Sequence, residues 1–318
     1  MTENRVSAII TAYNSERFIS DAIASVMAQT RPIDELVVID DGSTDDTAKV
    51  VSFYFEKGIR YIWQPNRGDS TAKNRGIQET TGEYIAFLDA DDIWLEDKTK
   101  QQMDFLLSHP DIALVSGAEW WWDVARNKCH LKVQSPKKES AIRREILIGN
   151  CIGNPSQVIM RRSVLKEVGL FDPCVRWGED WELWIRVASQ YKVAILPEPV
   201  IVYRWHVDNL SHTTNWEKIT RDEWDISRLS IAKFRPAWQR PFLMVRAWSN
   251  VTLSRADYLF KQGYPRRTQI AYATGALITY PFEKSSEKLK VFARATLGEK
   301  MYQRGRQIVR RWIKKSQG

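Results

Sequence analysis

Short runs of apolar residues alternate with amphipathic segments along the first third of the chain. Apolar residues recur at helical spacing in these segments, as at Ile19, Ile23 and Val26, which predicts helices. Five apolar runs predict buried strands, at residues 6–11, 36–39, 59–63, 84–88 and 112–115. Strands that alternate with helices indicate βαβ units and a largely parallel sheet.

The pattern changes twice further along the chain. Residues 119–138 hold three tryptophans and then charged and polar residues without a clear period, so we expect a mixed, partly mobile connection. Strand patterns return around a helix at residues 179–190, namely at 156–160, 193–196 and 200–203. Helical patterns then take over, at 238–260, 265–279 and 285–311. We predict an α/β domain over residues 1–215 and a helical carboxy-terminal region over residues 216–318.

Composition narrows the class of protein. Lys and Arg number 47 and Asp and Glu 39, so the net charge is +8, and basic surfaces attract the phosphate of nucleotides, lipids or nucleic acids. The three cysteines lack the spacing of a disulfide framework or a zinc site, which favours a reducing compartment. The amino terminus has no signal-peptide pattern, and no apolar run approaches the roughly 20 residues of a spanning helix. We expect a cytoplasmic protein that does not span a membrane.

Two of the apolar runs end in clusters of carboxylates. Asp40 and Asp41 follow residues 36–39, and Asp89, Asp91 and Asp92 follow residues 84–88. Ligands of parallel sheets bind beyond the carboxyl ends of the strands, where both clusters are expected. Neighbouring carboxylates repel one another, and a hard divalent cation that also binds phosphate oxygens relieves the repulsion. The pattern therefore predicts a site for a metal and a diphosphate.

Three blocks of the chain resemble glycosyltransferase family 2. They read VSAIITAYN at residues 6–14, VIDDGSTD at 38–45 and GEYIAFLDADD at 82–92. The resemblance continues through residues 161–172 to GEDWELW at 178–184 and YRWH at 203–206, about two thirds of the way along the chain. It implies the GT-A fold, here a Rossmann-like mixed, largely parallel sheet flanked by helices, with a helical carboxy-terminal module. It also implies a nucleoside-diphosphate sugar as co-substrate, a divalent metal and, usually, inversion at the anomeric carbon.

The resemblance assigns the nucleotide to the ends of the first two strands. Thr11, Ala12 and Tyr13 would hold the nucleobase by backbone contacts and stacking. Asp41, or Asp40 beside it, would contact the uracil or the ribose. The alternative is that Asp41 only begins a turn or caps the following helix.

Asp89-Ala90-Asp91 matches the DXD motif of the family. Asp91 would bind the Mn²⁺ or Mg²⁺ that bridges the two phosphates, while Asp89 and Ala90 would contact the nucleotide sugar or, for Asp89, a basic neighbour. His206 matches a metal or phosphate ligand, although a lone histidine is more often simply packed or exposed. Asp92 could instead cap a helix that begins near residue 95.

Asn66 and Lys73 lie in the segment before the DXD strand. The family more often has arginine where Lys73 stands, and lysine cannot form the planar bidentate pair, so a single contact to the diphosphate is the expected role. The alternative for Lys73 is a solvated basic helix face.

Asp180 stands where the family carries its catalytic base, and burial beside Trp181 would raise its proton affinity. Glu179 would orient the acceptor or Asp180 itself. The alternative is a pair of carboxylates stabilised by the dipole at a helix start. Trp181 and Trp184 have helical spacing and are expected to belong partly to the core.

The sequence therefore predicts a metal-dependent inverting glycosyltransferase acting on a glycan, lipid-linked or other hydroxyl acceptor in polysaccharide or glycoconjugate synthesis. A nucleotidyltransferase would need a glycine-rich phosphate loop that the amino-terminal segment lacks. The remaining alternative is a catalytically inactive basic binding protein. Residues 301–313 place apolar residues among arginines, as in an amphipathic helix on anionic lipid, so we expect peripheral binding at the inner face of the membrane. A helix packed on the domain is the alternative there, and nucleic acid is not an expected partner.

Overall fold

A computed structural model describes residues 4–132, 139–207, 209, 216–261, 265–279 and 285–297. The chain divides into two compact units. The first comprises residues 1–146 and 150–214, and the second comprises residues 147–149 and 215–318.

The first unit is built on one mixed sheet. Nine strands are present among the described residues: β1 Val6–Ala12, β2 Glu35–Asp40, β3 Arg60–Trp63, β4 Tyr84–Asp89, β5 Ile93–Trp94, β6 Ile112–Asp123, β7 Lys128–Lys132, β8 Ile159–Arg161 and β9 Lys192–Trp205. Their order is β3-β2-β1-β4-β8-β6-β9-β5, with β7 paired to β6. The pairs within β3-β2-β1-β4 are parallel, as is β6 with β9, whereas β5, β7 and β8 pair antiparallel. This confirms the predicted mixed, largely parallel sheet.

Helices form in the segments whose apolar residues recur at helical spacing, and these helices cover the sheet. In the first unit they are α1 Ile19–Met27, α2 Thr47–Ser52, α3 Asp69–Glu79, α4 Lys98–Ser108, α5 Glu139–Glu145, α6 Arg162–Val168 and α7 Glu179–Gln190. The continuous β-branched runs of β1 and β2 are buried, because a parallel sheet is covered on both faces. The burial of α1 follows its apolar stripe, with Ile19, Ile23 and Val26 all within the core.

Two predictions for the second half of this unit were wrong. Residues 119–132 do not form an irregular connection, because β6 continues to Asp123 and forms a hairpin with β7; residues 133–138 lie outside the described part. The two predicted strands at 193–196 and 200–203 are one strand, β9. Pro197 and Pro199 lie between the two predicted segments, where a shift in the β6–β9 register keeps the strand continuous.

The boundaries differ at β8 as well. The predicted strand at 156–160 starts only at Ile159, since Pro155–Gln157 forms a 3₁₀ turn that Asn154 caps.

The second unit is helical, as predicted. Its helices are α8 Trp216–Phe234, α9 Arg240–Lys261, α10 Arg266–Thr279 and α11 Ser285–Leu297, with a 3₁₀ turn at Ala237–Gln239. A small core of apolar side chains joins the last three helices, namely Leu253, Ala256, Ala273, Ala276 and Val291. No helix in the described ranges is both long and apolar enough to cross a membrane. The predicted amphipathic tail at residues 301–313 lies outside those ranges.

Candidate active site

The parallel register of β1, β2 and β4 aligns the predicted nucleotide-binding residues at one edge of the sheet. Thr11 pairs with Asp89, and the Ala90 N–H donates to the Thr11 carbonyl over 3.1 Å. On the other side of β1, Ala12 pairs with Asp40 of β2. The carboxyl ends of three strands therefore bring these polar groups together, as expected for a ligand site on such a sheet.

Asp41 shapes the loop that carries Asn66. Its carboxylate accepts hydrogen bonds from the Gln64 side chain at 2.7 Å and from the backbone N–H groups of Arg67 at 3.0 Å and Gly68 at 2.8 Å. The side chain of Asp41 is buried, whereas Asn66 is exposed at the turn of this loop. Asp41 therefore positions the loop and leaves Asn66 accessible to a ligand.

Asp40 is also buried, and its partners lie within the protein. Its carboxylate accepts a hydrogen bond from the Tyr61 hydroxyl at 2.6 Å and another from the Ser43 backbone at 2.7 Å. The first turn of α2 begins after Asp46, so neither aspartate of this cluster caps that helix. The capping alternative is therefore wrong. Tyr13 after β1, at 52% exposed, and Trp63 at the end of β3, at 56% exposed, are accessible aromatic side chains at this edge.

Lys73 lies buried among carboxylates from three elements. Its ammonium group pairs with Asp69 of the same helix, lies 3.5 Å from Asp89 at the end of β4 and lies 3.7 Å from Glu179 at the start of α7. The side chain is 1% exposed, so a solvated basic face on α3 is excluded. Burial alone would lower the pKa of Lys73, but the three carboxylates raise it, which keeps the ammonium group charged. Asp69 also accepts a hydrogen bond from the Thr11 hydroxyl at 3.0 Å.

Asp91 and His206 meet in space although 115 residues separate them. The His206 Nε2 atom lies 3.2 Å from Asp91 Oδ2, and the Asn209 amide donates to the same oxygen at 2.9 Å. The His206 ring packs against the Phe18 ring in a tilted arrangement, with the ring centroids 4.4 Å apart. A carboxylate and an imidazole at one point suit Mn²⁺ or Mg²⁺, which commonly takes one or two protein ligands and completes its shell with phosphate and water. In the described residues no group of three or more His, Cys, Asp or Glu side chains forms a metal-binding set. Asp91 and His206 therefore fit a metal ion whose other ligands would come from a bound diphosphate.

Arg204 fixes the DXD loop, a role that the sequence did not reveal. This side chain is 2% exposed, pairs with Asp21 at 2.6 Å and donates from Nε to the Asp91 carbonyl at 2.5 Å. It also lies over the Phe18 ring. The bond from Arg204 leaves the Asp91 carboxylate facing His206 and Asn209.

Asp92 is not a helix cap. The residue before α4 is Asp97, and Asp92 is completely buried, with its carboxylate near the Arg204 N–H at 3.3 Å and the Asn154 amide at 3.5 Å. Burial, together with the charges of Asp91 and Asp89, raises the pKa of Asp92 well above its usual range. A cation near Asp91 would relieve this repulsion.

Glu179 and Asp180 open α7 and point to different partners. Glu179 faces Lys73, whereas Asp180 accepts hydrogen bonds from the Asn150 amide at 3.1 Å and from the Trp181 N–H at 2.6 Å. Asn150 had no sequence signal, because its contact with Asp180 exists only after the chain folds. The rings of Trp181 and Trp184 are buried in the core, so they do not present a sugar-stacking surface.

Burial raises the pKa of three carboxyl groups at this site. Asp180 reaches about 6, although the Trp181 N–H and the Lys73 charge lower it. Glu179 reaches about 8, where Lys73 again opposes the effect of burial and the Asp180 charge adds to it. Asp89 reaches about 7, because burial and the charges of Asp69, Asp91 and Asp180 outweigh the attraction of Lys73. Asp180 is therefore mostly ionised at neutral pH and has a proton affinity suited to a general base.

A family model described as glycosyl transferase family 2 matches residues 7–169. A Rickettsia felis protein named as an uncharacterized glycosyltransferase is 33% identical over 198 residues, which cover 60% of this chain but only 31% of that protein. An Escherichia coli protein, named UDP-Glc:alpha-D-GlcNAc-diphosphoundecaprenol beta-1,3-glucosyltransferase WfgD, is 28% identical over 228 residues, covering 71% of this chain and 86% of that protein. The chain thus spans about a third of the Rickettsia felis protein and most of the Escherichia coli protein.

Two solved structures share the fold. TarS residues 1–349 of S. aureus, crystallised with UDP-GlcNAc, align with a TM-score of 0.60 and 17% identity over 95% of this chain and 92% of that chain. The mannosyltransferase PcManGT from Pyrobaculum calidifontis, in complex with GDP-Man and Mn²⁺, aligns with a TM-score of 0.54 and 19% identity over 92% of this chain and 86% of that chain. The likeness confirms the predicted GT-A fold.

Proposed function

This chain belongs to glycosyltransferase family 2, and on that basis we propose that it transfers a sugar from a nucleoside-diphosphate sugar to a hydroxyl group of a glycan or lipid-linked acceptor. One observation carries the proposal. The buried Lys73 ammonium group lies 3.5 Å from Asp89 of the DXD motif and 3.7 Å from Glu179, the neighbour of Asp180. The group suited to a metal and the group suited to a base therefore belong to one electrostatic cluster, as a sugar transfer requires.

The donor half of the site is the edge formed by β1, β2 and β4. Thr11, Ala12 and Tyr13 would hold the nucleobase, with Asn66 on the loop that Asp41 shapes. WfgD is named for UDP-Glc and TarS was crystallised with UDP-GlcNAc, so UDP-sugars are the first donors to test.

Asp91 and His206 are the proposed ligands of Mn²⁺ or Mg²⁺. Such an ion would neutralise the negative charge that develops on the diphosphate as it leaves. The Asn209 amide donates to the Asp91 carboxylate and Arg204 donates to the Asp91 backbone carbonyl, and together they hold this residue in place. The Mn²⁺ in the PcManGT complex supports a metal-dependent reaction.

Asp180 is the proposed catalytic base. It would take the proton of the acceptor hydroxyl as the hydroxyl oxygen forms a bond to the anomeric carbon and the bond from that carbon to the diphosphate oxygen breaks. Attack from the face opposite the leaving group inverts the anomeric configuration. Asn150 and the Trp181 N–H orient the Asp180 carboxylate, and Glu179 is bound to Lys73, so it would act by positioning.

The first unit would carry the reaction, and the acceptor would determine where the protein works. WfgD is named for a diphosphoundecaprenol acceptor, so a lipid-linked glycan at the inner face of a membrane is the acceptor class we propose. A cytoplasmic location belongs to the same proposal, because the three cysteines lack the spacing of a disulfide framework.

Nucleotide release from a panel of UDP-, GDP- and dTDP-sugars tests the proposal. We expect slow release from one nucleotide class with Mn²⁺ or Mg²⁺, loss of release with a chelator, and loss in Asp91→Asn. Asp104→Asn is the matched control, because Asp104 is an exposed carboxylate on α4 outside the site. If no sugar nucleotide is hydrolysed or bound in a metal-dependent way, the catalytically inactive binding protein is the better description.

A further inference from the structure

Large apolar side chains are exposed at and beside the connection between α8 and α9. Trp238 in the 3₁₀ turn is 79% exposed, and Phe242 and Val245 on the first turns of α9 are 54% and 40% exposed. Leu229, near the end of α8, is 57% exposed. We call these four residues the aromatic corner.

These four residues do not belong to the buried face of their helices. The core side of α9 is a different set of residues, since Leu243, Ala247 and Val251 are almost completely buried. The first turns of α9 are therefore apolar on two faces, of which the structure buries one. A helix that is apolar on both faces usually has a second apolar environment for the exposed face.

The segment that carries the aromatic corner has an excess of basic residues. Residues 226–256 contain six basic residues and no Asp or Glu. Lys233 is exposed between Leu229 and Trp238, and Arg240 begins α9 and donates from Nε to the Arg235 carbonyl at 2.9 Å. Arg246 lies over the Phe242 ring at 5.9 Å from its centroid. Arg246 is buried and Arg228 pairs with Asp225, whereas Lys233 and Arg240, one on each side of Trp238 in the sequence, are basic residues that a surface could contact.

We propose that the aromatic corner inserts into the interface of an anionic lipid bilayer. Tryptophan and phenylalanine prefer the boundary between headgroups and acyl chains, and neighbouring Lys and Arg side chains bind anionic headgroups. Each basic residue near such a surface adds a modest attraction, and residues 226–256 hold six basic residues without an Asp or Glu between them. A protein partner would have to supply complementary acids and a matching apolar pocket, whereas an anionic bilayer offers both features without specific shape. The proposal concerns the second unit and does not depend on the reaction of the first.

Vesicle flotation of the full chain tests the proposal, without any sugar donor. The vesicles contain phosphatidylcholine alone or phosphatidylcholine mixed with phosphatidylglycerol. We expect the protein to float with the anionic vesicles, and the double variant Trp238→Ser/Phe242→Ser to lose at least about tenfold in partitioning, because each ring contributes a large apolar area. Lys233→Glu is expected to weaken binding several-fold to the anionic vesicles only. Ile278→Ser is the matched control, since Ile278 is 76% exposed on α10 of the same unit.

A second measurement separates insertion from a loss of folding. Trp238→Phe keeps an aromatic ring, so flotation is expected to persist, while quenching of tryptophan fluorescence by lipids with brominated acyl chains falls below that of the native protein. Unchanged flotation of Trp238→Ser/Phe242→Ser would assign membrane binding to another segment, such as residues 301–313, and would overturn the proposal. No flotation of the native protein would overturn it as well, as would a dimer in solution that the double variant dissociates. None of these results bears on sugar transfer, which the nucleotide-release assay measures separately.

Discussion

At the scale of single residues, Lys73 organises the candidate site. Its ammonium group contacts carboxylates of α3, β4 and α7 at once, so one charge holds the DXD strand next to the helix that carries the proposed base. A diphosphate contact, the role expected from the sequence, would require Lys73 to leave these partners. The structure instead supports a positioning role, in which Lys73 sets the charge around Asp180 without touching the substrate.

Replacement of this cation is expected to change both stability and pH dependence. Lys73→Met leaves the carboxylates without their cation and should lower the free energy of unfolding by about 3 kcal/mol. This value is the low end for breaking a buried ion pair, because Asp69 and Asp89 are partly exposed. The acidic limb of kcat/KM against pH should move to higher pH, because the Lys73 charge lowers the pKa of Asp180. Urea unfolding and a pH–rate profile measure the two effects.

Two variants control this experiment. Arg75→Met removes an exposed cation from the same helix, which pairs with Glu79, and should leave the pH profile unchanged. Lys73→Arg retains the charge and should restore the position of the acidic limb. An unchanged limb in Lys73→Met would mean that Lys73 is only structural.

The proposed base makes a separate prediction. A general base must be ionised to accept a proton, and the pKa of Asp180 is about 6, so kcat/KM should fall as the pH drops through about 6 and level off above it. Asp180→Asn should lower kcat by about 10²–10⁴ while donor affinity stays near the native value, because the loss falls on proton transfer. Steady-state rates and calorimetric titration with UDP separate the two. If donor binding were lost to the same extent as kcat, Asp180 would be a donor-binding residue and not the base.

At the scale of elements, the packing of α3 on β1 decides where Lys73 lies. Gly76 of α3 faces Ile9 of β1, and a Cβ at this position would overlap the Ile9 Cγ2 atom. The absence of a side chain therefore lets the helix approach the strand closely, which brings Lys73, one turn earlier, to the end of the sheet.

Gly76→Ala is therefore expected to destabilise the first unit by about 1–3 kcal/mol through overpacking and to reduce sugar transfer, because α3 would move away from β1. The measurement is chemical denaturation together with the nucleotide-release rate. Gly275→Ala in α10 is the control, since nothing lies within 4 Å of a Cβ built there. That variant should be neutral or stabilised by about 0.5–1 kcal/mol, as for an ordinary helix glycine. Similar destabilisation of both variants would contradict the packing argument.

The β6–β7 hairpin shows how the element scale departs from the sequence pattern. A strand normally shows an alternation of apolar and polar residues. Trp120, Trp121 and Trp122 are consecutive aromatic residues, so this alternation is absent from the sequence. The hairpin pairs Trp121 with His130, and β9 pairs with the other edge of β6. Pairing with β9, more than 70 residues further along the chain, thus defines the end of β6, which the local sequence pattern did not predict.

At the scale of the whole molecule, the first unit should gain stability from its ligands. UDP together with Mn²⁺ at about 100 times the dissociation constant should add about 2.7 kcal/mol, which corresponds to a rise in melting temperature of several degrees for a unit of this size. Either ligand alone should have a smaller effect, because the Asp91 carboxylate repels the diphosphate unless a cation is present. Differential scanning calorimetry of the native chain and of Asp91→Asn checks this. A UDP effect that is independent of Mn²⁺ would contradict metal-assisted binding.

The sequence by itself determined the alternating strands and helices in the first half of the first unit and predicted the edge at which they would bind a ligand. Apolar runs such as residues 36–39 can be stable only between two helical layers, and acidic residues that end such runs must lie at the carboxyl edge of the sheet. The order of the family blocks then assigned Asp91 and Asp180 to separate roles, which remain predictions for the assays above.

Only the tertiary structure decided which groups neutralise, orient and bury those carboxylates. Arg204 reaches Asp91 across 113 positions, Asn209 reaches it across 118, and Asn150 reaches Asp180 across 30. Such contacts leave no local period in the sequence, since they depend on which strands become neighbours. The sequence did not decide whether Lys73 is buried, for the same reason. A lysine on a helix is exposed or buried depending on which elements pack against that helix.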